Sequence, residues 1–293
     1  MVIETKHAFL RNLNTSWLES GSSKKHILLF LHGYPDTPDV WSEQIRHFAS
    51  QYHVICPYAR GTFASEPGDD LSRFSPESLS LDLLEILNIA DPKNKKSVTL
   101  IGHDLGGAIA WKLASYLGPR LSHLIIINSL SIEQMASRLI SRPKQWIRSW
   151  YIFPMLVPKI SEKWVGKFSK RLLPFAYQWG GLPKEKFPKL ELNSPFPVST
   201  MKQYRAFARE ALKTLKQKPQ RIKAPTLVLW GNQDPFLLPP TLDELEPYAE
   251  HLIVRILQGG HWIFRENAET INTIIENFCQ RGEPNASAHE KIF

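Results

Sequence analysis

Apolar residues along this chain fall into two rhythms. Short unbroken runs recur at His26-Ile-Leu-Leu-Phe-Leu31, Tyr52-His-Val-Ile-Cys-Pro57, Val98-Thr-Leu-Ile101, Leu124-Ile-Ile-Ile-Asn128, Thr226-Leu-Val-Leu-Trp230 and Leu252-Ile-Val-Arg-Ile-Leu257. Each is short and largely apolar, and the continuous runs at 26–31 and 124–128 suit strands buried on both faces. Between them, residues 41–49, 75–87, 108–116, 240–246 and 267–279 have helical periodicity, and Pro76 suits a first helical turn. Strand and helix in alternation predict an α/β architecture with a mostly parallel, doubly wound sheet. Residues 8–19 read differently, as short antiparallel strands whose alternation Asn12 and Asn14 break.

The alternation stops near Leu130. Through Lys223 the chain carries helical stretches and frequent prolines but no convincing strand. Such an insertion is most simply a helical cap over the carboxyl ends of the strands, where open α/β sheets bind ligands. The expected division is a core of residues 1–130 and 224–281, a cap of residues 131–223, and a disordered tail over 282–293.

Composition narrows the class. The chain has 293 residues, 43% hydrophobic and 22% charged, ordinary values for a globular enzyme. No apolar run approaches the roughly 18 to 20 residues of a membrane span, and no secretory signal is visible at the N-terminus. Cys56 and Cys279 are too few for a disulfide framework and lack metal-ligand spacing, so a cytoplasmic protein is expected. Net charge is +8, unevenly spread: residues 131–223 hold 20 Lys and Arg against 5 Asp and Glu, the remainder 16 against 23. The basic residues stand singly among Trp, Phe and Pro rather than in one stripe. That pattern favours a solvated helical face over a surface for acidic partners or membrane. With no accompanying motif, a nucleic-acid partner is not expected.

The chemistry centres on Gly102-His-Asp104-Leu-Gly106-Gly107, between a strand and a helix. This is the nucleophile elbow G-x-[nucleophile]-x-G, with Asp104 where serine usually stands. A carboxylate can displace at an sp3 carbon, forming an alkyl ester that water then cleaves. Carbon bearing a leaving group or a strained oxygen is its natural target. The plain alternative is that Asp104 caps the following helix. Asp234 and His261 follow the last two strands, in the chain order nucleophile, acid, histidine. Asp234 would fix the tautomer of a neutral His261 that takes a proton from water. His32-Gly33-Tyr34-Pro35 forms the other half of the site. The backbone N–H groups of Tyr34 and Leu105 would make the oxyanion hole, with His32, Gly33 and Pro35 supporting the loop. His103 reads as structural.

Taken together, His32-Gly-Tyr-Pro-(x5)-Trp41, Gly102-His-Asp-Leu-Gly-Gly107, Trp230-Gly-Asn-Gln-Asp-Pro-Phe236 and Gly260-His-Trp262 resemble the epoxide hydrolase branch of the α/β-hydrolases. The resemblance spans essentially the whole chain. It implies an α/β-hydrolase fold, opening of a small-molecule epoxide by water to a vicinal diol, no cofactor or metal, and a monomer or homodimer. It also implies two cap tyrosines that donate to the epoxide oxygen. Ser149-Trp-Tyr151-Ile-Phe-Pro-Met-Leu-Val-Pro158 matches the first and Met201-Lys-Gln-Tyr204-Arg205 the second, although Pro154 interrupts the family's aromatic run. Haloalkane and fluoroacetate dehalogenases share the aspartate nucleophile. They carry Trp or Arg where this chain has Leu105, and the latter a second Arg where it has Ala108. Dehalogenation, or a non-catalytic role built on the basic cap, are the alternatives. Activity is expected from the imidazole pKa up to about 10, the phenol value.

Overall fold

The unbroken apolar runs become the middle of one eight-stranded sheet. The computed structural model describes residues 2–61, 70–188, 200–214 and 219–281, so the tail expected from 282 lies outside the described residues. In chain order the elements are β1 (Glu4–Leu10), β2 (Leu13–Ser20), β3 (His26–Leu31), α1 (Ser42–Phe48), β4 (His53–Pro57), α2 (Pro76–Ala90), β5 (Ser97–His103), α3 (Leu105–Leu117) and β6 (Leu121–Ile127). Five helices follow, α4 (Ile132–Ser141), α5 (Pro143–Arg148), α6 (Ile152–Leu156), α7 (Ile160–Trp179) and α8 (Met201–Thr214). The chain then closes with β7 (Thr226–Gly231), α9 (Leu242–Leu245), β8 (Leu252–Leu257), α10 (Ile263–Glu266) and α11 (Ala268–Arg281).

Strand order is β1-β2-β4-β3-β5-β6-β7-β8. The β1, β2 and β4 pairings are antiparallel, and every pairing from β4 through β3 to β8 is parallel. Ile27 to Phe30, Leu124 to Ile127 and Leu227 to Trp230 are almost wholly inaccessible, as helices on both faces require. Because β3, β5, β6, β7 and β8 run the same way, the loops leaving their carboxyl ends gather at one edge of the sheet. The 32–35 stretch, Asp104, Asp234 and His261 lie in those loops, and Tyr151 and Tyr204 in the helical segment between β6 and β7.

Two boundaries differ from the sequence reading. β1 starts at Glu4, because an edge strand can expose both faces and needs no apolar signal; Glu4 to His7 are all exposed. The helix expected over 240–246 is a single turn, Leu242–Leu245, passing into a 3-10 turn at Glu246–Tyr248 around Pro247.

Between β6 and β7 the described residues hold helices and no strand, apart from a lone bridge of Ile222 to Ala249. α4 packs on α8, and α6 on α7 and α8. Side chains pin this segment to the sheet. Buried Arg138 on α4 pairs with Glu244 at 2.7 Å and donates to the Leu238 carbonyl at 2.6 Å, and Arg148 donates to the Asp234 carbonyl.

Candidate active site

Asp104 is the residue between β5 and α3, with φ 51° and ψ −125°. A non-glycine residue at positive φ is strained. The turn is held because α3 begins at once and runs against β3. A Cβ on Gly106 would lie 2.4 Å from the Leu31 carbonyl oxygen, so glycine is required there. The Asp104 side chain makes no capping bond to α3, which removes the plain alternative. Instead Oδ1 accepts from the Tyr34 N–H at 2.9 Å, and Oδ2 lies 3.6 Å from His261 Nε2, an ion-pair separation too long for a hydrogen bond. Ser129 Oγ donates to the Asp104 carbonyl at 2.5 Å. Leu105 opens α3, where an amide has no acceptor within its own helix.

Behind the histidine, His261 Nδ1 donates to Asp234 Oδ2 at 2.7 Å. Asn128 Nδ2 donates to the same oxygen at 2.7 Å, while Asp234 Oδ1 accepts from the Phe236 and Leu237 N–H groups at 2.7 and 3.0 Å. Four donors therefore fix this buried carboxyl, and through it the imidazole plane.

The electrostatics set the resting charge of this site. Burial would depress the His261 pKa, but the charges of Asp234 and Asp104 outweigh it and raise it to about 10. Burial would raise Asp104, yet the His261 cation and the Tyr34 N–H hold it below the ordinary aspartate value. At neutral pH the free protein thus favours an imidazolium beside Asp104 and Asp234, so the neutral base expected for the water step has to form within the reaction cycle.

Two neighbouring histidines are neutral. His32 Nε2 accepts from the Ala59 N–H at 3.1 Å, so its proton is on Nδ1, donating to the Gly33 carbonyl at 2.9 Å. Burial lowers its pKa to about 4. This ring ties the 32–35 loop, whose Tyr34–Pro35 peptide is cis, to the chain after β4. Gly33 passes so near the nucleophile that a Cβ there would meet the Asp104 side chain at 2.4 Å. His103, lowered to about 3 by burial and by the His261 charge, donates from Nε2 to the His261 carbonyl at 3.0 Å.

Across from Asp104 lie the two tyrosines. Tyr151 precedes α6, Tyr204 sits on α8, and both line a cavity of about 180 Å³ that also holds Asp104. Tyr204 meets the Tyr34 ring edge to face at 5.5 Å, and Tyr151 meets Phe236 at 5.4 Å. Burial, reinforced by the Asp104 charge, lifts both phenols well above their ordinary value, so they stay protonated beyond the limit set in the sequence reading. The remaining walls are mostly apolar, among them Leu105, Met135, Leu139, Leu156 and Phe207, with Ser129, Ser131 and Ser149, and among the described residues Asp104 is the one charged member of the lining.

Sequence reasoning passed over three contributors. Asn128 and Ser129 were visible only as a polar pair ending an apolar run. Asn128 bridges Asp234 and the Gly231 N–H, which it meets at 3.1 Å. Asp36 is buried beside the 32–35 loop and accepts from Trp262 Nε1 at 2.8 Å and from the Tyr177 hydroxyl on α7 at 3.0 Å. Among the described residues no group of three His, Cys, Asp or Glu could hold a metal, and no helix is long and apolar enough to cross a membrane.

Comparison with known proteins points the same way. The family described as alpha/beta hydrolase fold matches residues 26–268. The chain is 25% identical to epoxide hydrolase 3 of Xenopus tropicalis, over 94% of this chain and 78% of that protein. It is 26% identical to epoxide hydrolase 4 of Mus musculus, over 94% and 79%. The crystal structure of Bacillus megaterium epoxide hydrolase with an inhibitor superposes with a TM-score of 0.77 at 24% identity, covering 93% of this chain and 99% of that one.

Proposed function

The chain belongs to the α/β-hydrolase fold family, and from that premise we propose that it opens epoxides to vicinal diols through an ester on Asp104. One observation carries the reading: a carboxylate on the elbow and two protonated phenols face each other across one apolar cavity. Residues 131–223 act as the cap that brings the phenols to the core of residues 1–130 and 224–281. The protein works in the cytoplasm on a small epoxide and water.

The resting charges suit this cycle. Asp104 Oδ2 attacks one epoxide carbon, that C–O bond breaks, and Tyr151 or Tyr204 protonates the released oxygen. The proton given up is restored from the His261 imidazolium, leaving neutral imidazole. Esterification has now removed one of the two negative charges that kept His261 protonated. The imidazole, oriented by Asp234, takes a proton from water as that water attacks the Asp104 carbonyl carbon. The Tyr34 and Leu105 N–H groups hold the oxyanion. Collapse breaks the ester, the carboxyl proton leaves with the diol, and the carboxylate–imidazolium pair is restored. A departing halide would want indole donors and a haloacid would want a guanidinium; the described cavity lining contains neither Trp nor Arg.

A single turnover in 18O-labelled water tests the ester. The label is expected in the peptide containing Asp104, with unlabelled diol. Labelled diol and an unlabelled peptide would mean direct attack by water, and halide release from haloalkanes without diol formation from epoxides would reassign the chemistry.

A further inference from the structure

Ten of the fifteen exposed large apolar side chains among the described residues lie in the segment between β6 and β7. Around α5 and α6, Trp146 (47% exposed), Ile147 (75%), Trp150 (57%) and Phe153 face outward; on α7, Leu172, Phe175 (64%) and Trp179 do so. Single exposed apolar residues need no explanation. These are not single: Trp146 stacks on Phe153 at 5.2 Å, Phe175 on Trp179 at 6.2 Å, and α6 packs on α7. Contiguous exposed apolar surface marks an interaction site.

Charge identifies the occupant. Residues 140–183 contain eight Lys and Arg against one acid, Glu162, which is ion-paired with Arg205. On α7 the exposed Lys163, Lys167 and Arg171 recur every fourth residue, beside the Leu172, Phe175 and Trp179 stripe. An apolar stripe rich in Trp and Phe and flanked by cations is the pattern of a helix lying in a lipid interface. In the sequence the basic residues favoured a solvated face because they stand singly rather than in one stripe; on the helix surface Lys163, Lys167 and Arg171 line up.

We propose that this face docks on an anionic lipid bilayer, its aromatic rings at the headgroup level and its basic side chains against lipid phosphates. A second copy of the chain would set like charges against each other across a two-fold contact. An acidic protein would also satisfy the cations, but protein interfaces are depleted in Lys, and five of the eight cations here are Lys. Phe153 is exposed on this face and also lines the Asp104 cavity, beside the half-buried Ile152 and Leu156. The docked face therefore adjoins the cavity, and an apolar epoxide dissolved in the bilayer reaches it without crossing water. That last consequence rests on the epoxide reading; the docking does not.

Co-sedimentation of the full chain with phosphatidylcholine vesicles, with and without phosphatidylserine, tests it. Binding is expected to the anionic vesicles and to fall as salt rises. Replacing Lys144, Lys163 and Lys167 together by Gln should lower partitioning on the order of 100-fold. Trp150→Ser with Phe175→Ser should also weaken it, with turnover of a water-soluble epoxide unchanged. Asp104→Ala should sediment like the wild type, so a failure of the epoxide chemistry is read separately. No binding of the wild type at low salt, or either multiple variant partitioning like it, overturns the proposal. Retention on immobilised polyglutamate without vesicle binding overturns it in favour of an acidic protein.

Discussion

The two walls of the cavity are built on different principles. On the sheet side, the groups that touch the reacting carboxylate are set by backbone. Asp104 is held by its own strained turn, Tyr34 by a loop pinned through His32, and His261 by a carboxyl with four donors. On the helical side, Tyr151 and Tyr204 sit on short or separately packed helices whose positions depend on side-chain contacts and on tethers such as Arg138–Glu244 and Tyr177–Asp36. A motif with fixed spacing encodes the first kind of wall. The second is a packing solution, free to vary in shape around two phenols. Charge handling therefore belongs to the sheet, and substrate recognition to the helices.

The sharpest way to break that comparison is to disable the sheet side. His261→Gln should form the ester and fail to hydrolyse it, so intact-mass spectrometry should find a substrate-mass adduct. Steady-state turnover should fall by about 10⁴-fold or more, as when one member of a triad is removed. Without the imidazolium the phenol regains its proton from solvent, so the ester should form slowly and persist; unmodified His261→Gln protein after long incubation with a substrate that the wild type consumes would place His261 in the alkylation step and count against a separate hydrolytic role.

Disabling the helical side should cost less and act earlier. Either tyrosine replaced by Phe leaves one donor for the epoxide oxygen, and alkylation should slow by about 10- to 1,000-fold, the range for losing one oxyanion-hole donor. Ester hydrolysis, measured in single turnover, should change little. Replacing both should nearly abolish alkylation. Wild-type alkylation by Tyr204→Phe would separate the phenol from the chemistry and return the reading to halide displacement.

How much of this was legible follows the same divide. β3, β5, β6 and β7 announced themselves because strands covered on both faces must be unbroken apolar runs. Asp104, Asp234 and His261 stood out because each follows such a run, and the elbow glycines are dictated by the close approach of α3, Gly106 to the Leu31 carbonyl, Gly102 to Gly107 and Gly107 to Ser129. β1 did not, since an exposed edge strand obeys no apolar rule. Asn128 and Asp36 were illegible for another reason. Their importance lies in partners more than a hundred residues away, Asp234, Tyr177 and Trp262, and no local spacing records such pairings. The outward aromatics between β6 and β7 were illegible too: residue type does not tell which rings face solvent, and only the packing shows Trp146, Trp150 and Phe175 exposed among the described residues.

The smallest effect probes the join between the two walls, at Asp36. Its carboxyl is buried, and burial raises its pKa to about 6 despite the Trp262 and Tyr177 donors. A carboxyl raised in the fold binds more protons native than unfolded between its two pKa values, so stability falls as pH rises through that interval. From the ordinary aspartate value to about 6, the loss contributed by this group is about 3 kcal/mol. Asp36→Asn cannot ionise and should lack that loss. Its stability relative to the wild type should therefore improve by about the same 3 kcal/mol between acid and neutral pH. Tyr177→Phe removes a donor that favours the ionised carboxylate, so its decline should reach further and extend to higher pH than the wild type's. Denaturant melts of the three proteins across that range are the measurement. A wild type and Asp36→Asn that differ by a constant amount at every pH would show that folding leaves the Asp36 pKa unshifted, and that ionisation does not weaken the tether from α7 to the 32–35 loop.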